Sequence, residues 1–136
     1  MKLITRDTDY ALRAICYIAK HKSKIVSVSE LTKELGISRP FLRKILQILN
    51  QKGILHSYKG SKGGFNLSKQ AANIFLMDLI DIFQGPFSLN KCSLSKKKCP
   101  QTEKCPLRKK IESIESYVVD ELKSVNIASL SKGING

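Results

Sequence analysis

The sequence has few acidic residues, only two histidines and no long apolar run, and each shortage narrows the possible functions. No apolar stretch approaches the roughly 20 residues of a membrane-spanning helix, so we expect no membrane association. The N-terminus meets charged residues within its first seven positions and has no apolar signal segment, which favours a cytoplasmic protein. Without a paired Ser, His and Asp arrangement or a Walker nucleotide loop, the chain offers little support for an enzyme.

Positive charge dominates the composition. The 136 residues include 24 Lys and Arg against 11 Asp and Glu, a net charge of +13. Residues 1–75 hold 14 Lys and Arg against 4 acidic residues, whereas residues 76–136 hold 10 against 7. A basic N-terminal half indicates a polyanionic partner, nucleic acid first. The alternative is generic solubility, which does not need so uneven a distribution. An adaptor that dimerises without binding DNA is disfavoured by the same asymmetry.

Three of the four cysteines lie in one polar, basic stretch. Cys92, Cys99 and Cys105 follow the spacing C-x6-C-x5-C among lysine, serine and proline residues that predict a loop. Thiolates suit iron–sulfur clusters or zinc, and neighbouring lysines favour the thiolate form. The C-x2-C pairs of a zinc ribbon are missing. Redox-active thiols, inert thiols, or a disulfide that a reducing cytosol would disfavour are the alternatives.

A first helix is predicted near the N-terminus. Apolar residues recur at three- and four-residue intervals between residues 11 and 19, which indicates a helix with one buried face ending near Lys20. Asp7 or Thr8 is the expected cap. Cys16 lies beside the apolar stripe, where a small core residue is a commoner role than a metal ligand.

Two further helices separated by a glycine predict a helix-turn-helix motif. Ser27 and Glu30 form an S-x-x-E capping box, Gly36 is suited to end that helix, and Ser38 can cap the next one. The second helix of such a motif usually enters the major groove of DNA with its N-terminal residues near the base edges. An ordinary helical hairpin is the alternative interpretation when the motif is taken alone.

A β-hairpin is expected directly after this motif, which would make the arrangement a winged helix. Residues 54–59 and 65–67 are compatible with strands, and they flank a glycine-rich turn. A phosphate-binding nucleotide loop is the alternative, but the strand–loop–helix context that it needs is absent. The predicted DNA-binding residues of helix and wing are Ser38, Arg39, Pro40, Phe41, Arg43, Lys44, Tyr58, Lys59, Ser61 and Lys62.

The C-terminal part predicts two helices on either side of the cysteine loop. Residues 74–83 read as a strongly apolar helix that Gly85 and Pro86 end. After Pro106, apolar residues step by three and four as far as Val125, a near-heptad stripe that indicates a dimer seam. Packing on the helix's own domain is the alternative. Residues 126–136 lack a clear pattern, and we expect them to fray.

The order of these features resembles the IscR/NsrR family of bacterial winged-helix transcription regulators, which also includes CymR and RirA. The resemblance is carried by TDYALRAICYIA at residues 8–19, SVSELTKELGISRPFLRKILQILNQKGIL at 27–55, the wing SYKGSKGGFNLS at 57–68 and the cysteine loop before a long helix.

This resemblance implies a fold that is mainly α with a small β-hairpin, a winged helix-turn-helix followed by a long C-terminal dimerisation helix. We therefore expect a DNA-binding domain over residues 1–85, a cysteine loop over 86–105, a dimerisation helix over 106–125 and a flexible tail over 126–136.

The resemblance also implies a cofactor. Members of the cluster-binding branch hold a 2Fe–2S or 4Fe–4S cluster on three loop cysteines, which here are Cys92, Cys99 and Cys105. IscR-like members add a histidine where this chain has Arg108, so the likeness fails at that position. Asp9, contributed by the partner subunit, is the fourth ligand that the NsrR-like members imply. The alternative role for Asp9 is an acid that favours the helix dipole.

The function implied is a homodimeric regulator that binds a palindromic operator in double-stranded DNA and acts as a repressor or activator. Its iron–sulfur cluster would sense nitric oxide, oxygen or redox state, or iron–sulfur status. The alternative is a cluster-free repressor of the same fold that senses thiol redox state or a small molecule.

Overall fold

Six helices and one β-hairpin make up the computed structural model, which describes residues 3–87 and 105–133. The fold class expected from the sequence is confirmed: a mainly α winged helix-turn-helix with a C-terminal helix. In chain order the elements are α1 (Arg6–Lys20), α2 (Val28–Leu35), α3 (Arg39–Gln51), β1 (Leu55–Tyr58), β2 (Gly64–Leu67), a 3-10 turn (Ala71–Asn73), α4 (Leu76–Gln84), α5 (Pro106–Lys123) and α6 (Ile127–Gly133).

Helix α1 lies at the centre of the hydrophobic core. The predicted apolar face is confirmed, because Ala11, Ile15 and Ile18 are fully buried and belong to the main cluster of buried side chains. The predicted cap is wrong, because Thr5 and not Asp7 or Thr8 occupies the N-cap position and its hydroxyl accepts the Thr8 N–H. Thr8 is instead fully buried, and its hydroxyl donates a hydrogen bond to Gln84 of α4.

The helix-turn-helix is formed by α2 and α3 as predicted. The Ser27 hydroxyl accepts the Glu30 N–H at 3.0 Å, and Gly36 ends α2 in the left-handed conformation at φ 67°. The Glu30 carboxylate, however, accepts the Tyr17 hydroxyl at 2.5 Å and pairs with Lys24 at 2.9 Å. This hydrogen bond raises the pKa of Tyr17 to about 12 and lowers the pKa of Glu30. This acid therefore ties α2 to α1.

The wing is the antiparallel pair of β1 and β2, in which Leu55 faces Leu67 and Tyr58 faces Gly64. A second pairing fixes the wing to the rest of the domain, because Val26 and Phe65 exchange backbone hydrogen bonds of 2.9 and 2.8 Å. At Gly64 a Cβ atom would collide with the Val26 carbonyl, so the close approach of these two backbones requires glycine.

Helix α4 begins later than the sequence indicated. Ile74 and Phe75 are extended, and the Asp78 carboxylate accepts the Phe75 N–H at 3.0 Å to start the helix at Leu76. The extended pair is held by an antiparallel bridge between Phe75 and Asn126. The prediction of a helix from residue 74 is therefore wrong for its first two residues, which serve a backbone pairing instead.

The C-terminal segment differs from the flexible tail expected at residues 126–136. Residues Ile127–Gly133 form α6, which packs along α1 and places Ile127, fully buried, in the core. Backbone hydrogen bonds from Leu76 N to Val125 O at 3.0 Å and from Ile127 N to Ile74 O at 2.8 Å hold its start. In α6, Ile127 belongs to the hydrophobic core and Leu130 packs against it. The backbone bridge at the start of α6 positions both side chains.

Helix α5 is the longest helix within residues 3–87 and 105–133, and none of its side chains is fully buried. Leu107 is 67% exposed, Ile114 46% and Tyr117 67%. In the described part of the chain, no helix has the length and apolarity to cross a bilayer.

We expect Ile127→Ala to reduce the free energy of unfolding by about 2–4 kcal/mol, because it opens a cavity where α6 meets α1. Urea denaturation followed by circular dichroism measures the loss. Ile25→Ala is the matched control at a side chain 38% exposed, with an expected change of under about 1 kcal/mol. Equal losses for the two variants would show that α6 is not part of the cooperative core.

Candidate nucleic-acid interface and cysteine site

An open groove of about 500 Å³ separates α3 from the wing, with the start of α2 at its base. Residues of α3 form one wall, and residues of β1, β2 and the glycine-rich turn between them form the other. It is lined by Ser27, Val28, Ser29, Arg39, Arg43, Gln47, Asn50, Ser57, Tyr58, Lys59, Gly60, Ser61, Gly63, Gly64 and Phe65.

The charges of this groove are all positive. Arg39, Arg43 and Lys59 line it, and no carboxylate does. Arg39 and Arg43 are also four residues apart on α3, where like charges repel, and the first turn of α3 has no acidic residue. A cation at a helix N-terminus is disfavoured by the helix dipole. The arrangement therefore costs helix stability and favours an external anion such as a phosphate backbone.

Two side chains from outside α3 contact its exposed first turn. The Arg39 guanidinium donates to the Ser29 hydroxyl of α2 through Nη2. The Arg6 guanidinium of α1 lies over the Phe41 ring at 4.8 Å from its centroid, a cation–π contact. Phe41 is 46% exposed, so this contact holds an aromatic side chain at the protein surface.

Each of the ten side chains predicted to bind DNA is exposed, as a DNA-binding surface requires. Five of them line the groove: Arg39, Arg43, Tyr58, Lys59 and Ser61. The other five lie on the same two elements or their connecting turn but outside the groove: Ser38, Pro40, Phe41, Lys44 and Lys62.

The sequence did not predict five polar residues of the groove: Ser27, Ser29, Gln47, Asn50 and Ser57. Gln47 and Asn50 lie on α3, and Ser29 lies on α2. A signal for Gln47 was present, because it continues the four-residue spacing of Arg39 and Arg43 along one helix face. Ser29 gave no signal, since its place in the groove depends on how α2 packs against α3.

The candidate cysteine site is described only in part. Cys92 and Cys99 lie outside the described residues. Cys105 is half-buried at the N-cap of α5, directly before Pro106. Within residues 3–87 and 105–133, no three side chains of His, Cys, Asp or Glu converge in a way that could hold a metal ion.

Cys16 is a core residue, as expected. It is 2% exposed within α1, and burial raises the pKa of its thiol to about 11. The side chain is therefore a neutral thiol at physiological pH, a form unsuited to metal binding.

Asp9 lies on the partly exposed side of the first turn of α1. Its Oδ2 pairs with Arg13 Nε at 3.1 Å, and its side chain is 40% exposed. A carboxylate has two oxygens, so this pairing is compatible with a second bond from Asp9.

The end of α4, just before the cysteine loop, is tied to the first turn of α1. Gln84, the last residue of α4, accepts the Thr8 hydroxyl at 2.7 Å and the Thr5 N–H at 2.9 Å through Oε1. Its Nε2 donates to the Leu3 carbonyl at 3.2 Å. Sequence reasoning could not find this contact, because its partners are more than seventy positions apart. It places the chain that enters the loop beside the turn that carries Arg6 and Asp9.

Comparison with known proteins points to one family. The family model described as "Rrf2: Iron-dependent Transcriptional regulator" matches residues 4–133. A candidate HTH-type transcriptional regulator of Aquifex aeolicus is 34% identical over 123 residues, which is 89% of this chain and 85% of that protein.

Solved structures have the same fold. CymR (YrzC), the global cysteine regulator of B. subtilis, superposes with a TM-score of 0.83 at 21% identity, covering 99% of this chain and 100% of that one. IscR of T. potens superposes with a TM-score of 0.75 at 21% identity, covering 98% of this chain and 88% of that one.

Proposed function

The chain belongs to the Rrf2 family of DNA-binding transcriptional regulators, and we propose that it acts as a homodimer whose operator affinity is set by an iron–sulfur cluster on its cysteine loop. A regulator of this family is not an enzyme. The observation that carries the proposal is the set of three cysteines between α4 and the exposed helix α5, on a chain whose groove between α3 and the wing is basic. A DNA-binding function also implies a cytoplasmic location.

The DNA is proposed to contact both walls of the groove. The first turn of α3 presents Arg39, Phe41 and Arg43 as an exposed edge that suits the major groove. Lys59 and Lys62 flank the glycine-rich tip of the wing, where they are suited to phosphate contact or minor-groove entry. Ser38, Pro40, Lys44, Tyr58 and Ser61 complete the proposed contact set.

The exposed stripe of α5 supports a homodimer. Leu107, Ile114 and Tyr117 expose large apolar or aromatic surface that a second copy of the helix would cover. A two-fold dimer matches a palindromic operator when its two recognition helices lie roughly 34–36 Å apart, one turn of DNA. Domain boundaries consistent with this division are residues 1–85 for DNA binding, 86–105 for the cysteine loop and 106–125 for the dimer helix.

The residues available fit an iron–sulfur cluster. Cys92, Cys99 and Cys105 would supply thiolates, and Asp9 from the partner subunit would supply one carboxylate oxygen. Cys105 stands at the N-terminus of α5, where the helix dipole favours an anionic ligand. The cluster, when bound, supplies a centre that reacts with nitric oxide or oxygen and depends on iron supply.

Coupling to DNA is proposed to pass through α1. Gln84 joins the start of the loop to the turn that carries Asp9, and Arg6 of the same turn lies over Phe41 of α3. Loss or damage of the ligand on the loop would then change the population of dimers whose α3 helices suit the operator.

A second candidate is a cluster-free sensor of thiol redox state or of a small molecule. Three clustered thiols among lysines are suited to oxidation as well as to metal binding. The B. subtilis structure of the same fold is named as a cysteine regulator, which makes this alternative worth a direct test.

The cluster proposal predicts that Cys99→Ala removes the visible absorbance of protein purified without oxygen and lowers its iron and sulfide content. The physical reason is the loss of one of three thiolate ligands. Cys16→Ala is the matched control, because its thiol is buried away from the loop and the spectrum should persist. A colourless, iron-free wild-type protein that binds its operator at full strength would support the cluster-free sensor instead.

The dimer proposal predicts that Ile114→Glu converts the protein to monomers at micromolar concentration in sedimentation equilibrium. A carboxylate in an apolar seam loses its hydration without a partner. Ser116→Glu is the control, since Ser116 is exposed and about 200° around α5 from Ile114. If Ile114→Glu stays dimeric, the seam lies elsewhere.

A further inference from the structure

We propose that Ser29 is a positioning residue for operator recognition, whose hydroxyl holds the Arg39 guanidinium in the orientation that DNA requires. Ser29 belongs to α2, outside both the recognition helix and the wing. The inference rests on the DNA-binding function of the family and not on the cluster.

The contact joins the two helices of the motif at their N-termini. Ser29 is the second residue of α2 and Arg39 the first residue of α3, and the guanidinium of Arg39 donates to the Ser29 hydroxyl across the groove base. Both residues line the groove, so the contact lies where DNA would bind. An arginine without such a partner would sample many rotamers and lose that freedom on binding.

A hydroxyl is suited to this task because it orients the cation without neutralising it. A guanidinium has five N–H donors in one plane, and one bond to Ser29 leaves an edge for a base or a phosphate. A carboxylate at the same place would pair with Arg39 and compete with the phosphate backbone. No acid lines the groove, so Arg39 keeps its charge for DNA.

The position of Arg39 also argues against a purely structural role. It stands beside the N-termini of two helices, α2 and α3, where both dipoles disfavour a cation. The bond to Ser29 therefore keeps the side chain in a place that electrostatics within the chain would oppose. Such a cost is expected where preorganisation for a ligand matters more than stability.

The experiment is a double-mutant cycle on DNA affinity. A duplex selected by the wild-type protein from a randomised library serves as the specific probe, and a scrambled duplex of equal length as the non-specific probe. Wild type, Ser29→Ala, Arg39→Ala and the double variant are compared at one salt concentration, all in the same cluster state. Ser23→Ala is the matched control, at an exposed serine outside the groove.

We expect Ser29→Ala to lower the ratio of specific to non-specific affinity about five- to tenfold, and to have no further effect in the Arg39→Ala background. Ser29→Thr, which keeps the hydroxyl, should retain the ratio. Thermal unfolding of Ser29→Ala should be unchanged, since its hydrogen bond to Arg39 is exposed.

Three outcomes would overturn the proposal. Wild-type affinity for Ser29→Ala would mean that the contact does not matter for DNA. A full loss that persists in the Arg39→Ala background would make Ser29 a direct DNA contact and not a positioning residue. An equal loss for both duplexes would make the pair a phosphate clamp without a role in sequence discrimination.

Discussion

The burial of one complete face of α1 is the constraint on which the rest of the structure depends. The helix-turn-helix, β2 of the wing, α4 and α6 all pack against this helix. Its side chains on that face are small or branched, and Ala11 and Ala14 let neighbouring helices approach closely. The DNA-facing elements and α4, the helix that precedes the cysteine loop, therefore share one support. A displacement of α1 would therefore reach both, and under the proposed function a chemical event on the loop would affect DNA binding through α1.

The groove between α3 and the wing shows the opposite balance, because its positive charges repel one another and suit an anionic partner. Arg39 and Arg43 repel each other at the start of a helix whose dipole also disfavours them. Two side-chain contacts of that turn, between Ser29 and Arg39 and between Arg6 and Phe41, orient the side chains but neutralise no positive charge. In the proposed complex, DNA would supply the negative charge that the groove lacks, so this interface would be complete only when DNA is bound.

The sequence predicted the elements whose signals are local. The three- and four-residue spacing of Leu42, Ile45, Leu46 and Leu49 is local information that specifies α3, and Gly36 marks the end of α2 because its left-handed backbone suits glycine. Features that depend on distant partners were missed. Helix α6 needs the backbone bridge to residues 74–76, and the position of Thr8 follows from Gln84. For the site, the ten predicted DNA-binding side chains are exposed, whereas the place of Ser29 in the groove became visible only once α2, α3 and the wing were assembled.

The bridge between Phe75 and Asn126 has a consequence for how the loop can evolve. The span from Leu76 to Val125 is closed at its base by backbone hydrogen bonds that involve no residue of the cysteine segment. The entropy of bringing those two ends together is thus lost when the domain folds, whatever the loop contains. Insertions or deletions between α4 and α5 would leave the frame intact, so selection can retune the spacing of the three thiols separately from the fold that carries them.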